Sequence, residues 1–238
     1  MKLEICIDSL EGARTAIANG ADRLEICGSL DLDGISPSLG LVSLLAKEKN
    51  IEKFVMVRPR PYDFCYTDQD FETMKEEIRT LKSYDIDGFV FGILKTDGTI
   101  DLERTKILVD LCSPKKVCFH RAFDYAQGGD ESIKDLISMG VVRILTSGRK
   151  EKAIDGCAYL RSINKKYGKD IEIMAGSGVS YKNIEEIYRK TGIENFHLSG
   201  KKPRTTAMTY LRENPLYQDL SYPDPSLIKK AREAIDKL

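Results

Sequence analysis

Apolar and polar positions along the chain follow two alternating rhythms: short runs rich in branched and aromatic residues, then longer stretches with helical spacing. Residues 3–7 read as a strand. Asp8 or Ser9 then caps a helix with Glu11 near its third position, and Gly20 closes it before a second strand at 23–27. Further strands are predicted at 54–58, 88–92, 117–120, 143–146, 172–175 and 195–198. Segments with helical character near 70–83, 101–112, 130–139, 151–167 and 180–191 follow or separate them.

Eight such units predict an α/β fold closed into a TIM (β/α)8 barrel. An open doubly wound sheet is the alternative, but its Gly-x-Gly-x-x-Gly fingerprint is missing after the first strand. Residues 200–222 show no clear period, and Asp224-Pro225 caps a last helix ending at Leu238, so a C-terminal extension is expected. No stretch reads as a linker, and one domain over 1–238 is expected.

Composition narrows the partner. Lys+Arg and Asp+Glu balance at 37 each, which removes the general basic field that nucleic acid or an anionic membrane would favour. No apolar run approaches the roughly 20 residues of a membrane span. The start, Met1-Lys2-Leu3-Glu4, is unlike a secretory signal, so a cytoplasmic protein with its six cysteines reduced is expected. A small molecule or an ion is then the expected partner. Only two histidines occur, His120 and His197, and any imidazole chemistry rests on them.

Side chains two apart on a strand share a face, and in a parallel barrel one face lines the lumen. The polar residues obey that spacing: Glu4 and Cys6, Glu25 and Cys27, Arg58 and Arg60, His120 with Ala122 and Asp124, Thr146 and Gly148, His197 and Ser199. Barrel active sites gather at the C-terminal strand ends, although a Glu/Arg network can also simply fill a lumen. Arg58 and Arg60 are candidates to bind carboxylate or phosphate as bidentate forks. His120, with Asp124 four residues on, is a candidate acid/base, with Glu4, Glu25 and His197 as further candidates. The turn at 174–178 resembles an anion cradle through Gly176 and Gly178, and Thr146-Ser147-Gly148 is a weaker case; either also reads as a tight turn.

The string Leu-Glu-Ile-Cys occurs at 3–6 and again at 24–27. Equivalent positions on neighbouring strands lie about 4.8 Å apart, which would let Cys6 and Cys27 share one soft ion. Thiolates select Cu(I), whereas structural zinc wants four ligands, and no Cys-x-x-Cys or His-x-His spacing occurs. Each cysteine alone also reads as a small buried hydrophobe. Cys65 and Cys118 are candidate extra ligands, Cys112 and Cys157 read as helix packing, and no organic cofactor is expected.

Taken in order, these strings resemble the copper homeostasis protein CutC family. The resemblance runs through Leu-Glu-Ile-Cys at 3–6, Gly-Ala-Asp-Arg-Leu-Glu-Ile-Cys at 20–27, Ser-Pro-Ser-Leu-Gly at 36–40, Arg-Pro-Arg at 58–60 and Asp-Phe-Cys-Tyr at 63–66. It continues through Phe-His-Arg-Ala-Phe-Asp at 119–124, Arg-Ile-Leu-Thr-Ser-Gly at 143–148, Met-Ala-Gly-Ser-Gly-Val at 174–179 and Phe-His-Leu-Ser at 196–199. It implies a TIM barrel, a homo-oligomer in the cytoplasm, and copper handling with Cu(I) at Cys6 and Cys27. The chain departs from the family at Pro61-Tyr62 and at Gly200.

Two functions stand side by side. One is a copper-handling protein; the other is an enzyme moving a proton on a small anionic, phosphorylated or sugar-like substrate. A passive scaffold would leave the clustered polar strand ends unexplained.

Overall fold

The structure, a computed structural model, describes residues 1–210 and 220–238. Eight strands, β1 (Lys2–Ile7), β2 (Arg23–Ile26), β3 (Glu52–Met56), β4 (Gly88–Phe91), β5 (Lys116–Phe119), β6 (Arg143–Thr146), β7 (Glu172–Ala175) and β8 (Asn195–Leu198), pair in parallel and close into a barrel. Helices α1 (Leu10–Ala18), α2 (Leu39–Leu45), α3 (Asp68–Leu81), α4 (Leu102–Cys112), α5 (Ala122–Tyr125), α6 (Gly129–Met139), α7 (Cys157–Tyr167), α8 (Ile184–Thr191) and α9 (Pro225–Asp236) accompany them. The TIM barrel is therefore as expected. Among the described residues no helix is long and apolar enough to cross a membrane.

Local chemistry explains several helix starts. Ser9 caps α1 by accepting from the Gly12 N–H, Thr67 and Asp70 form a capping box on α3, and Asp224 caps α9 ahead of Pro225. Two expected helices start late, α7 at Cys157 and α8 at Ile184, because 151–156 and 180–183 fold as turns. Residues 201–204 and 220–223 form an antiparallel hairpin, β9 (Lys201–Arg204) with β10 (Leu220–Pro223). Sequence reading found no period there because each strand is only four residues and Pro203 interrupts the first. The part of that reading that falls on 211–219 lies outside the described residues.

Two apolar clusters divide the strand faces. Ile5, Leu24, Val55, Phe89, Ile144 and Ile173 point outward and pack with the helices, while Cys27, Phe54, Met56, Val90, Cys118, Leu145 and Met174 fill the lumen. This corrects the expected parity of β6. Leu145 is the lumen residue, so Thr146 shares the outward face with Ile144.

Pairing register brings a second correction. Glu4 lies beside Arg23 and Cys6 beside Glu25, so the two Leu-Glu-Ile-Cys strings are offset by two residues rather than aligned. Closing a barrel staggers its strands, and here that stagger puts a carboxyl, not a second thiol, next to Cys6.

Candidate functional site

A cavity of about 1170 Å³ opens at the C-terminal ends of the strands, the end where barrel sites form. Its wall includes Cys6, Glu25, Arg58, His120, His197 and Ser199 among the expected residues, together with Gly178. Below it the lumen is charged. Arg23, 1% exposed, donates to Glu4 through Nε, to Glu52 at 3.1 Å and to Glu172 at 3.4 Å. Arg143 donates to Glu172 at 2.9 Å, and both guanidinium groups lie against the Phe54 ring, at 5.6 and 4.6 Å from its centre. Both arginines were missed in the sequence, although each sits two residues before a lumen position, Glu25 and Leu145, and the same alternation points to them.

Glu4 links this base to the cavity. Its other oxygen lies 2.7 Å from Nδ1 of His197, whose Nε2 is 3.9 Å from Glu25. Burial alone would raise the Glu4 carboxyl, but the Arg23 charge and the His197 hydrogen bond hold it well below the usual carboxylate range. Glu25 moves the opposite way. Burial raises it, the pull of His197 only partly opposes that, and the Glu4 charge adds to it. His197 would be lowered by burial, yet Cys6, Glu25 and its hydrogen bond to Glu4 push it well above the ordinary histidine range. Three coupled groups thus hold an ionised Glu4, a charged His197 and a Glu25 with a raised affinity for its proton.

Cys27 sits to the side of this arrangement. It is fully buried, does not reach the cavity wall, and its Sγ donates to Glu25 Oε2 at 3.4 Å. Burial first, then the Glu25 charge, push its thiol well above the usual range. Cys118 also lies in the lumen, and burial raises its thiol; Cys65 is on the cavity wall, while Cys112 and Cys157 are buried on α4 and α7 as expected.

After β3, the strand next to β2, Arg58 is committed to backbone carbonyls. Its Nη1 donates to Leu32, Asp33 and Gly34 at 3.2, 3.0 and 2.9 Å, and its Nη2 to Tyr62 at 3.0 Å, so its fork is not free to clasp an anion. Arg60 turns away from the cavity to Asp70 at 3.1 Å and Asp63 at 2.9 Å, where it braces the loop into α3. It left the expected set because β3 ends at Met56 and strand alternation does not extend to position 60.

Asp124, Thr146 and Ser147 form a network behind the wall. The chain enters α5 directly after Arg121, which carries Asp124 out of line with His120. Asp124 accepts from the Thr146 hydroxyl, from the Ser147 N–H and hydroxyl at 3.0 and 2.9 Å, from the Arg149 N–H at 3.1 Å and from Arg121 Nε at 3.0 Å. Gly176 is packed rather than open, since a Cβ there would stand 2.4 Å from Leu145. Arg121 and Lys95, outside the strands, and Lys201, the first residue of β9, also line the cavity and were not anticipated, since all three lie beyond the alternation of the barrel strands.

One cluster has metal-ligand character: donor atoms of Cys6, Glu25 and His197 all lie within 4.8 Å of one another. They come from β1 and β2 and from the adjoining β8, which pairs with β1. Glu25 Oε1 is buried without a partner. A thiol, an imidazole and a carboxyl form a mixed set that copper accepts.

A family model described as the CutC family matches residues 1–202. The chain belongs to the CutC family. It is 39% identical over 213 residues to a CutC family protein of Vibrio cholerae, covering 89% of this chain and 84% of that one. It is 38% identical over 208 residues to a human protein named copper homeostasis protein cutC homolog, covering 87% of this chain and 76% of that one. The crystal structure of a putative copper homeostasis protein CutC from Streptococcus agalactiae superposes with a TM-score of 0.79 at 30% identity, over 84% of this chain and 98% of that one. Phosphoribosylanthranilate isomerase of Thermotoga maritima, with a TM-score of 0.60 at 13% identity over 100% of each chain, shares the barrel fold alone.

Proposed function

We propose that this CutC protein handles copper by holding the ion at the barrel mouth on Cys6 and His197, with Glu25 beside them. The carrying observation is the approach of those three donor atoms to within 4.8 Å at the edge of an open cavity. Copper is cargo here, and an open wall gives an incoming or outgoing carrier group access to it. Thiolate favours Cu(I), and imidazole suits copper, so binding would release the His197 Nε2 proton that the metal-free protein retains. Cys27 stands one step behind, its Sγ against Glu25, as the second sulfur that can turn toward the ion once Glu25 shifts. The copper homeostasis name of the human relative supports this reading. The six free cysteines support a reducing, cytoplasmic setting, and the family resemblance supports a homo-oligomer.

Titrating reduced protein with Cu(I) against a competing chelator tests it. Cys6→Ser and His197→Gln should each loosen the ion about tenfold or more, as expected when one ligand is lost. If the double variant Cys6→Ser, Cys27→Ser binds as tightly as the parent, the reading fails.

A further inference from the structure

We propose that the same cavity has a second occupant besides the ion, a small hydroxy- or oxo-carboxylate whose carboxylate oxygens accept hydrogen bonds from His120 Nε2 and Arg58 Nε. The cavity, at about 1170 Å³, lies just above the usual range of small-molecule sites, roughly 300–1,000 Å³, and far exceeds the needs of one ion.

Among the described residues, three on the cavity wall carry a buried side-chain atom with no hydrogen-bond partner: Glu25 Oε1, Arg58 Nε and His120 Nε2. Glu25 belongs to the donor cluster for the ion. The other two are unassigned, and their residues are only 3% and 4% exposed. A buried polar atom left unpaired is costly, so a pair of them on the wall of one cavity marks a place that a ligand completes.

Their chemistry specifies the ligand atom. His120 Nδ1 accepts from the Ala122 N–H at 3.2 Å, and a backbone N–H can only donate, so the neutral ring carries its proton on Nε2. Burial, then the charges of Arg58 and Arg121, lower this histidine to about 3 and keep it neutral. His120 is therefore a fixed donor, not a base. Arg58 directs both terminal nitrogens at backbone carbonyls, three from Nη1 and one from Nη2, and Nε is its one nitrogen with no partner.

Both groups are held against one aromatic ring. Phe64 packs 4.8 Å from the His120 ring and 5.1 Å from the Arg58 guanidinium. Gly92 makes the histidine position available, since a Cβ there would lie 2.7 Å from its Nδ1. Two donors, one of them cationic, suit two oxygens sharing a single negative charge. A phosphate dianion has three oxygens to satisfy, more than these two buried donors match. Four acidic residues (Glu25, Asp31, Asp33 and Asp63) share the lining with Arg58, Lys95, Arg121, Lys201 and the charged His197, a near balance that favours one carboxylate and hydroxyl or oxo groups over a highly charged ligand.

The test uses metal-free, chelator-treated full-length protein, so that its outcome is independent of copper. Pyruvate, lactate, gluconate and inorganic phosphate are each added at about 10 mM while melting temperature is followed, since a ligand of the folded state raises it. In parallel, the His120 Nε2–H signal of 15N-histidine-labelled protein is recorded. At least one carboxylate should raise the melting temperature and move that signal. His120→Asn should then lose roughly tenfold in affinity for it, the scale of one hydrogen bond to a charged group. A folded His120→Asn variant that binds equally well overturns the proposal. So does phosphate binding more tightly than every carboxylate, or a His120 signal that none of the carboxylates moves.

Discussion

Cys6 of β1 is the register partner of Glu25 on β2, and Glu4 is the partner of Arg23. The two Glu-x-Cys pairs therefore interlock with an offset, and their four side chains do different work. Glu4 neutralises a buried arginine, Glu25 faces the cavity, Cys6 joins it there, and Cys27 packs behind.

That division predicts opposite outcomes for the same substitution. In metal-free protein near pH 7, Glu4→Gln leaves Arg23 without its nearest carboxylate and should cost about 3 kcal/mol, as for breaking a buried ion pair. Glu25→Gln mimics the protonated form that burial favours and should change stability by less than about 1 kcal/mol. Urea unfolding of both variants checks this; a larger loss for Glu25→Gln than for Glu4→Gln would contradict the assignment.

His197 sets a pH dependence. Its folded-state affinity for a proton is raised, so the stability it contributes is complete below the unfolded value of about 6.5 and is lost as pH rises through the folded value. Stability of the metal-free protein should fall with rising pH on the alkaline side of neutrality, and His197→Gln should flatten that slope. Glu4 has the opposite sign: its lowered value gives stability that is present above about 4.3 and fades as pH falls. Denaturant midpoints measured across the pH range separate the two limbs.

Asp124→Asn should destabilise by about 2 kcal/mol, because an amide cannot accept at both ends where Ser147, Arg149 and Thr146 all donate. Hydrogen exchange should quicken in the loop after β6 while copper affinity stays unchanged. A loss of copper affinity comparable to that of Cys6→Ser would place Asp124 in the site.

Arg60→Ala should cost under about 1 kcal/mol, since its ion pairs to Asp63 and Asp70 are partly exposed. Neither copper nor carboxylate binding should change. Weakened ligand binding in this variant would show that the loop into α3 closes on the cavity.

Much of the candidate site was legible because strand alternation is local. Glu4, Cys6, Glu25, Arg58, His120, His197 and Ser199 were each placed by counting in twos along a run, and Arg23 lay one count further back. The count failed where the backbone stopped being a strand: at Arg60, beyond the end of β3, and at Asp124, where α5 begins two residues earlier. On β6 it started from the wrong residue, since Thr146 is polar yet satisfied by Asp124 on the outer face.

The sequence by itself determined the eight strands, seven of the helices (α2 and α5 were not foreseen) and the end of the barrel at which the polar groups collect, because periodicity, caps and turns depend on residues a few positions apart. Only the tertiary structure decided which of those groups are neighbours. Register around a closed barrel depends on the stagger of all eight strands together, and it set Glu25 rather than Cys27 beside Cys6, brought His197 across from β8 to Glu4, and turned the Arg58 fork onto four loop carbonyls.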